Sequence, residues 1–270
     1  MILLRLLAFG LIMVTPVVAQ AQKIVAHRGA SFDAPENTLA SFRLAWEQNA
    51  DAIEGDFFLT KDQQIVCIHD SKTKRTSGVE QVVSESTLEE LRKLDVGSWK
   101  DPRFKGEKIP TLAEVLAIIP TGKRIYIEIK CGPEIVPFLG RAIKQSGLAP
   151  EQTIVISFND KVIAATREQI PEIKAYWLAG FRQNAQTKVL EPTGQELLAT
   201  ALKVHAHGID IQAQREMVNA DFVTLLRKNR LEFHVWTVNS PDDARHFQQL
   251  GVDSITTDRP AFLRSELQLK

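Results

Sequence analysis

Cysteine is nearly absent from this chain of 270 residues, with only Cys67 and Cys131 present. One disulfide is the most they can form, and the alternative is two small buried side chains. No charge of one sign is in excess: Lys+Arg and Asp+Glu are 33 each, which argues against general attraction to nucleic acid or anionic lipid. There is no Gly-rich phosphate loop, no Gly-x-Ser-x-Gly elbow and no basic-aromatic nucleic-acid pattern. Internal repeats and low-complexity segments are also missing. What remains is an ordinary globular composition, 44% hydrophobic and 24% charged, which excludes disorder as the main state.

The first 21 residues differ from the rest. Arg5 is their only charge, Leu6 to Val18 is almost wholly apolar, and Ala19-Gln20-Ala21 is a small-x-small site. This is the pattern of a cleaved secretory signal, and the apolar run is too short and badly flanked for a spanning helix. No cysteine follows the run, so a bacterial lipid anchor at that point is not expected. The expectation is an exported protein, periplasmic or secreted, starting near Gln20 or Gln22 and keeping no stable membrane anchor, with an uncleaved N-terminal anchor as the competing reading.

Ile24-Val25-Ala26-His27-Arg28-Gly29 organises the remainder. A β-branched apolar run reads as a buried parallel strand, and the histidine and arginine that end it belong at the mouth of an α/β domain. Leu39 to Ala50 has helical spacing with Thr38 as its cap. Asp51 to Thr60 and Ile65 to Ile68 are strands joined by a four-residue polar turn, too short for a crossover, so they should form an antiparallel hairpin. Pairing Thr60 with Ile65 would set Asp56 opposite His69. Ser71 to Pro110 breaks the rhythm as an inserted cap of about forty residues, a length that signals function between regular elements. Helix–strand alternation then resumes, with strands at Arg124–Lys130, Thr153–Phe158, Ile173–Leu178, Gly208–Ile211, Glu232–Val238 and Val252–Thr256. Without the hairpin's return strand this makes eight strands separated by helices. The expected fold is therefore α/β, a (β/α)₈ barrel of the TIM type over residues 22–270, with a cap at 71–110 after the His-Asp pair.

Strand alternation puts Glu54 and Asp56 on one face, and Glu128 with Lys130 on one face of a neighbouring strand. Three carboxylates suit one hard divalent cation, Ca²⁺ or Mg²⁺, better than zinc, with salt bridges to Arg28 and Lys130 as the alternative. His27 and His69 at strand ends suit a general acid–base pair. Arg28 and Lys130 could hold a phosphate. Trp236 is either core or a wall of a substrate pocket. His234 shares its face and should pack below it, whereas His205 and His207 read as surface or packing residues.

Taken together, these residues resemble the glycerophosphodiester phosphodiesterase family. The resemblance rests on His27-Arg28-Gly29, Pro35-Glu36-Asn37-Thr38, Glu54-x-Asp56, Leu59-Thr60-Lys61-Asp62 and His69-Asp70. Further along it rests on Ile109-Pro110-Thr111-Leu112, Glu128-Ile129-Lys130, Val235-Trp236-Thr237-Val238-Asn239 and Thr257-Asp258-Arg259-Pro260. It implies a capped barrel, a metal held by Glu54, Asp56 and Glu128, and His27 and His69 as the acid–base pair. The reaction it implies is hydrolysis of small-molecule glycerophosphodiesters to glycerol 3-phosphate and an alcohol, with water or the glycerol's 2-hydroxyl as attacker. Lysophospholipid or phosphoinositide cleavage, helped by an apolar groove from Trp99 and Phe104, is one alternative. A non-catalytic binding protein is another. Gln63-Gln64 departs from the family's turn, which commonly holds a glycine, and puts the hairpin geometry in question.

Overall fold

The computed structural model describes residues 22–269. The expected signal segment, 1–21, lies outside them. Eleven strands form in chain order: β1 (Lys23–Ala26), β2 (Ala52–Leu59), β3 (Ile65–Cys67), β4 (Arg124–Ile129), β5 (Thr153–Ser157), β6 (Lys174–Ala179), β7 (Arg182–Gln183), β8 (Leu190–Glu191), β9 (Gly208–Gln212), β10 (Glu232–Trp236) and β11 (Ser254–Thr257). Eight of them, all parallel, close a ring in the order β1, β2, β4, β5, β6, β9, β10, β11, with β11 returning to β1. The expected (β/α)₈ barrel is the observed fold.

Parallel strands need helical crossovers, and the helices carry the expected signals. Thr38 caps the helix Leu39–Glu47 through the Ser41 amide, and Asn219 caps Ala220–Lys228 through Asp221 and Phe222. Leu197, Leu198 and Ala201 of Gly194–Lys203, at helical spacing, are buried. The outer core joins the helices to one set of strand side chains. A smaller inner core, with Tyr126, Ile156, Tyr176 and Leu178, fills the barrel.

Residues 71–110 pack over the hairpin around their own core of Val83, Leu91, Leu94, Val96 and Ile109, against Val66 and Ile68. The β2–β3 hairpin forms, but its register differs from expectation: Leu59, not Thr60, pairs with Ile65. Thr60 is drawn into the turn instead. Its amide donates to the Gln64 carbonyl, its hydroxyl donates to Asp62, and Gln64 N–H donates back to that hydroxyl. Gln63 takes φ 62° where a glycine would be unstrained, at a cost of roughly 1 kcal/mol. Ile68 N–H therefore bonds the Asp56 carbonyl, and His69 follows the ladder instead of facing Asp56 within it.

The helices Leu88–Leu91 and Leu112–Leu116 are each little more than one turn long. The β7–β8 ribbon and the helix Pro260–Glu266 were not anticipated. Cys67 and Cys131 are both free thiols. No helix among the described residues is long and apolar enough to cross a membrane.

Candidate active site at the barrel mouth

The strand ends place the expected residues around one opening. His27, Arg28, Glu54, His69, Glu128, Lys130 and Trp236 line a cavity of about 280 Å³. Asp56 lies just beneath it at 1% exposure, held by its neighbours. Side-chain alternation on β2 and the β2–β4 register, in which Asp56 pairs with Glu128, bring the three carboxylates together.

His27 follows β1, and its Nδ1 lies 2.6 Å from Asp258 Oδ1. Asp258 also accepts from Asn239 Nδ2 and Ser31 Oγ. Burial opposes its charge, yet these bonds hold the carboxyl down to about 2. An ionised Asp258 only accepts, so the proton sits on His27 Nδ1 and Nε2 is the nitrogen left for chemistry. His69 repeats the arrangement, with Nδ1 2.6 Å from Asp70 Oδ1. Arg75 Nε donates to Asp70 Oδ2 at 2.6 Å, and its two terminal nitrogens grip Glu36 at 2.8 Å each.

Arg28 has φ 55°, which turns the chain back under the mouth. Its amide donates to Glu54 Oε2 at 2.9 Å, and its guanidinium pairs with Asp56 at 3.2 Å and Glu36 at 3.1 Å. Gly29 follows at φ 82°, where a Cβ would stand 2.4 Å from Ser41 Oγ, so no other residue fits. Asn37 clamps Asp56 from both sides, donating to Oδ2 and accepting from the Asp56 amide. Lys130 Nζ reaches Glu128 Oε1 at 2.6 Å and Asp56 Oδ1 at 3.3 Å.

Glu54, Asp56 and Glu128 are 2%, 1% and 8% exposed. Each offers an oxygen within 4.8 Å of the others. Burial, then the charges of Asp56 and Glu128, push Glu54 well up; burial and Asp56 push Glu128 up to about 7. Asp56 stays low despite burial, because Lys130 and Arg28 face it. Glu54 Oε1 is a buried acceptor with no partner, and Asp56 Oδ1 has no hydrogen bond beyond its ion pair with Lys130 at 3.3 Å. Three buried carboxylates converging in this way, one with an oxygen left unpartnered, fit an oxygen-seeking divalent cation.

Trp236 ends β10, donates from Nε1 to the Asp210 carbonyl at 3.2 Å, and meets Phe158 edge-on with centroids 5.5 Å apart. His234 packs below it, fully buried and stacked on Tyr176. His205 is exposed and His207 Nδ1 accepts from the Ala175 amide; neither joins a metal-ligand group among the described residues. Trp99 and Phe104 do not line the cavity.

Sequence reasoning assigned no role to Glu36, Asn37, Asp70, Asp258 or Asp210. Asp70 adjoins His69, and an imidazole that presents one nitrogen to chemistry needs an acceptor at the other, which is signal enough to suspect it. Asp258 becomes His27's neighbour only because β11 pairs with β1, which no local pattern reveals.

Comparison with known proteins agrees with the geometry. The model of the glycerophosphoryl diester phosphodiesterase family matches residues 27–262. The YhdW protein of Bacillus subtilis is 39% identical over 89% of this chain and 96% of its own length. The glycerophosphodiester phosphodiesterase of Caldanaerobacter subterraneus subsp. tengcongensis is 36% identical over 89% and 95%. The structure of an Oleispira antarctica phosphodiesterase with its product sn-glycerol-3-phosphate superposes with a TM-score of 0.81, at 25% identity, covering 92% of this chain and 97% of that one. A match spanning both histidines, all three clustered carboxylates and the last barrel strand leaves one assignment: the chain belongs to the glycerophosphoryl diester phosphodiesterase family and is a phosphoric diester hydrolase.

Proposed function

We propose that this enzyme hydrolyses glycerophosphodiesters to glycerol 3-phosphate and an alcohol, with His27 and His69 as the acid–base pair and one divalent cation, Ca²⁺ or Mg²⁺, at Glu54, Asp56 and Glu128. The observation that carries this reading is the matched pair of histidines, each held at Nδ1 by a carboxylate at 2.6 Å and each opening onto the cavity that contains the carboxylate cluster. Bound there, the cation would act as a Lewis acid toward phosphate oxygens.

The chain's own groups do the rest. Arg28 and Lys130, tethered to Asp56 and Glu128, present positive charge to the phosphate and are held in place before it arrives. One histidine takes the proton from the attacking oxygen, of water or of the glycerol's 2-hydroxyl, as the new O–P bond forms. The other delivers a proton to the alcohol oxygen as its bond to phosphorus breaks; where the 2-hydroxyl is the attacker, water then opens the resulting cyclic phosphate with the two histidine roles exchanged. Each transfer contributes roughly 10²–10⁴-fold. Asp258 and Asp70 keep the rings oriented and stabilise the imidazolium form. Trp236 walls the substrate side, and residues 1–21 direct export to the periplasm or medium.

The test is glycerol 3-phosphate release from glycerophosphocholine by protein lacking residues 1–21, after chelation and again with Ca²⁺ or Mg²⁺ restored. Release that returns with the ion supports both parts. Release unaffected by exhaustive chelation removes the cation from the proposal, and no release with either ion removes the substrate. Fractionation of the native host, with the protein found uncleaved inside the cell, would overturn the export proposal.

One observation favours a second reading. A groove of about 740 Å³, lined by Trp177, Phe181 and Pro192 and edged by Arg182, Glu191 and Glu196, shares Phe158 and Leu178 with the cavity. It could seat the acyl chain of a lysophospholipid, and faster turnover of lysophosphatidylcholine than of glycerophosphocholine would select that reading.

A further inference from the structure

One carboxyl at the mouth belongs neither to the three-carboxylate cluster nor to a histidine pair. Asp210 is the third residue of β9, 1% exposed, in register between Leu178 of β6 and His234 of β10. It lines the cavity shared by His27, Glu54 and Lys130. Among the described residues no side chain bonds its carboxyl, and Oδ1 is buried without a partner.

The topology says what it faces. Around the ring β2 reaches β9 in four steps either way, through β4, β5 and β6 or through β1, β11 and β10. Asp210 therefore stands across the mouth from Glu54 and Asp56. Its neighbours on that wall, Ile156, Leu178 and Trp236, are apolar, and past the charged end the only other polar residues lining the cavity are Thr237 and Thr256, so Asp210 is the one carboxyl there. Burial, then the charge of Glu128, push its carboxyl up to about 8, so at neutral pH it can donate as well as accept. A buried carboxyl without a partner lowers stability, and such a group is kept where a ligand completes it.

Resting on the glycerophosphodiester reading above, we propose that Asp210 is a specificity-determining residue: it hydrogen-bonds a hydroxyl of the substrate's glycerol arm and so selects a polyol phosphate over an alkyl phosphate of equal length. A cavity of about 280 Å³ holds one small phosphorylated arm, while the variable alcohol leaves past the exposed Phe158. Glycerol is the arm that all such diesters share, so the enclosed end is where recognition of it is useful. A site built around a substrate hydroxyl rejects the analogue lacking it, because the buried polar group is then left unpaired.

The experiment compares glycerol 3-phosphate with n-propyl phosphate, by calorimetric titration of wild type, Asp210→Leu, Asp210→Ala and Asp210→Asn. Wild type should bind glycerol 3-phosphate at least about tenfold more tightly. Asp210→Leu and Asp210→Ala should bind the two within about twofold of each other, the Leu variant with a raised Tm, and Asp210→Asn should keep most of the preference. In turnover, Asp210→Leu should lower kcat/KM for glycerophosphocholine roughly 30-fold, a loss at least about tenfold larger than that on methyl p-nitrophenyl phosphate, which has no hydroxyl. An undiminished preference in both truncations, or equal losses on both diesters, overturns the proposal. Wild type that prefers glycerol 3-phosphate yet cleaves no glycerophosphodiester would sink the functional reading, and the binding ratios would still decide the role of Asp210.

Discussion

The two ends of the barrel interior both bury polar side chains, but they treat them differently. At the floor, where the strands begin, Tyr176 Oη donates to Glu232 Oε2 at 2.6 Å, Lys174 pairs with Glu232, and His234 Nδ1 bonds Ser254 while its ring stacks on Tyr176. Glu232 stays ionised against burial because His234, Lys174 and Tyr176 face it. Burial, opposed by Glu232, keeps His234 below its ordinary value and neutral. At the mouth, Glu54 and Asp210 each leave a buried oxygen unpartnered, and like charges crowd one another. The floor pairs its charged groups internally, leaving His234 Nε2 3.7 Å from Glu232 Oε2 without a hydrogen bond, and contributes stability. The mouth gives up stability to hold unsatisfied groups where a ligand can complete them.

Mutations at the mouth should therefore change chemistry without lowering stability, and mutations at the floor the reverse. The largest effect is expected from His27→Ala and His69→Ala, each lowering kcat by roughly 10³-fold or more while circular dichroism and Tm stay near wild type. A variant with near-normal turnover would take that histidine out of the mechanism. Asp258→Asn leaves the ring in place but removes the anion that selects its tautomer. Its kcat should drop by about 10²-fold with little change in KM, and a change confined to KM would reassign Asp258 to binding.

Metal-free protein tests the mouth thermodynamically. Glu128 and Asp210 titrate near 7 and 8, above their ordinary 4.5 and 3.8, so the folded state retains protons that the unfolded chain has released. The contribution of these two groups is fully present below their ordinary values and is lost as pH rises through 7 and 8, so between about pH 5 and 8 stability should fall by several kcal/mol. Thermal unfolding in chelator across that interval measures it, and added Ca²⁺ or Mg²⁺ should flatten the slope. A rising or level curve in chelator would show that the cluster carries no such strain. The smallest effect belongs to the floor: Tyr176→Phe should cost about 1–2 kcal/mol in denaturant unfolding and leave kcat/KM within twofold. A tenfold activity loss there would break the division between the two ends.

Much of this arrangement was legible before any coordinates. Alternation along β2 and β4 put Glu54 with Asp56 and Glu128 with Lys130, because a strand's period of two leaves little freedom about which side chains share a face. The strand–helix rhythm needed only hydrophobic spacing and caps such as Thr38. The hairpin register was missed by one residue, because hydrogen bonds from Thr60 to Asp62 and Gln64 drew it into the turn.

Local pattern was enough to establish the residue types at strand ends, and with them the class of chemistry, because those choices depend on neighbours a few positions away. Closure of the barrel decided the rest. Pairing of β11 with β1 delivers Asp258 to His27 across 231 residues, and the ring sets Asp210 opposite Glu54. Contacts between residues so far apart in the chain come only from how the strands close, and that is set by the packing of the whole core.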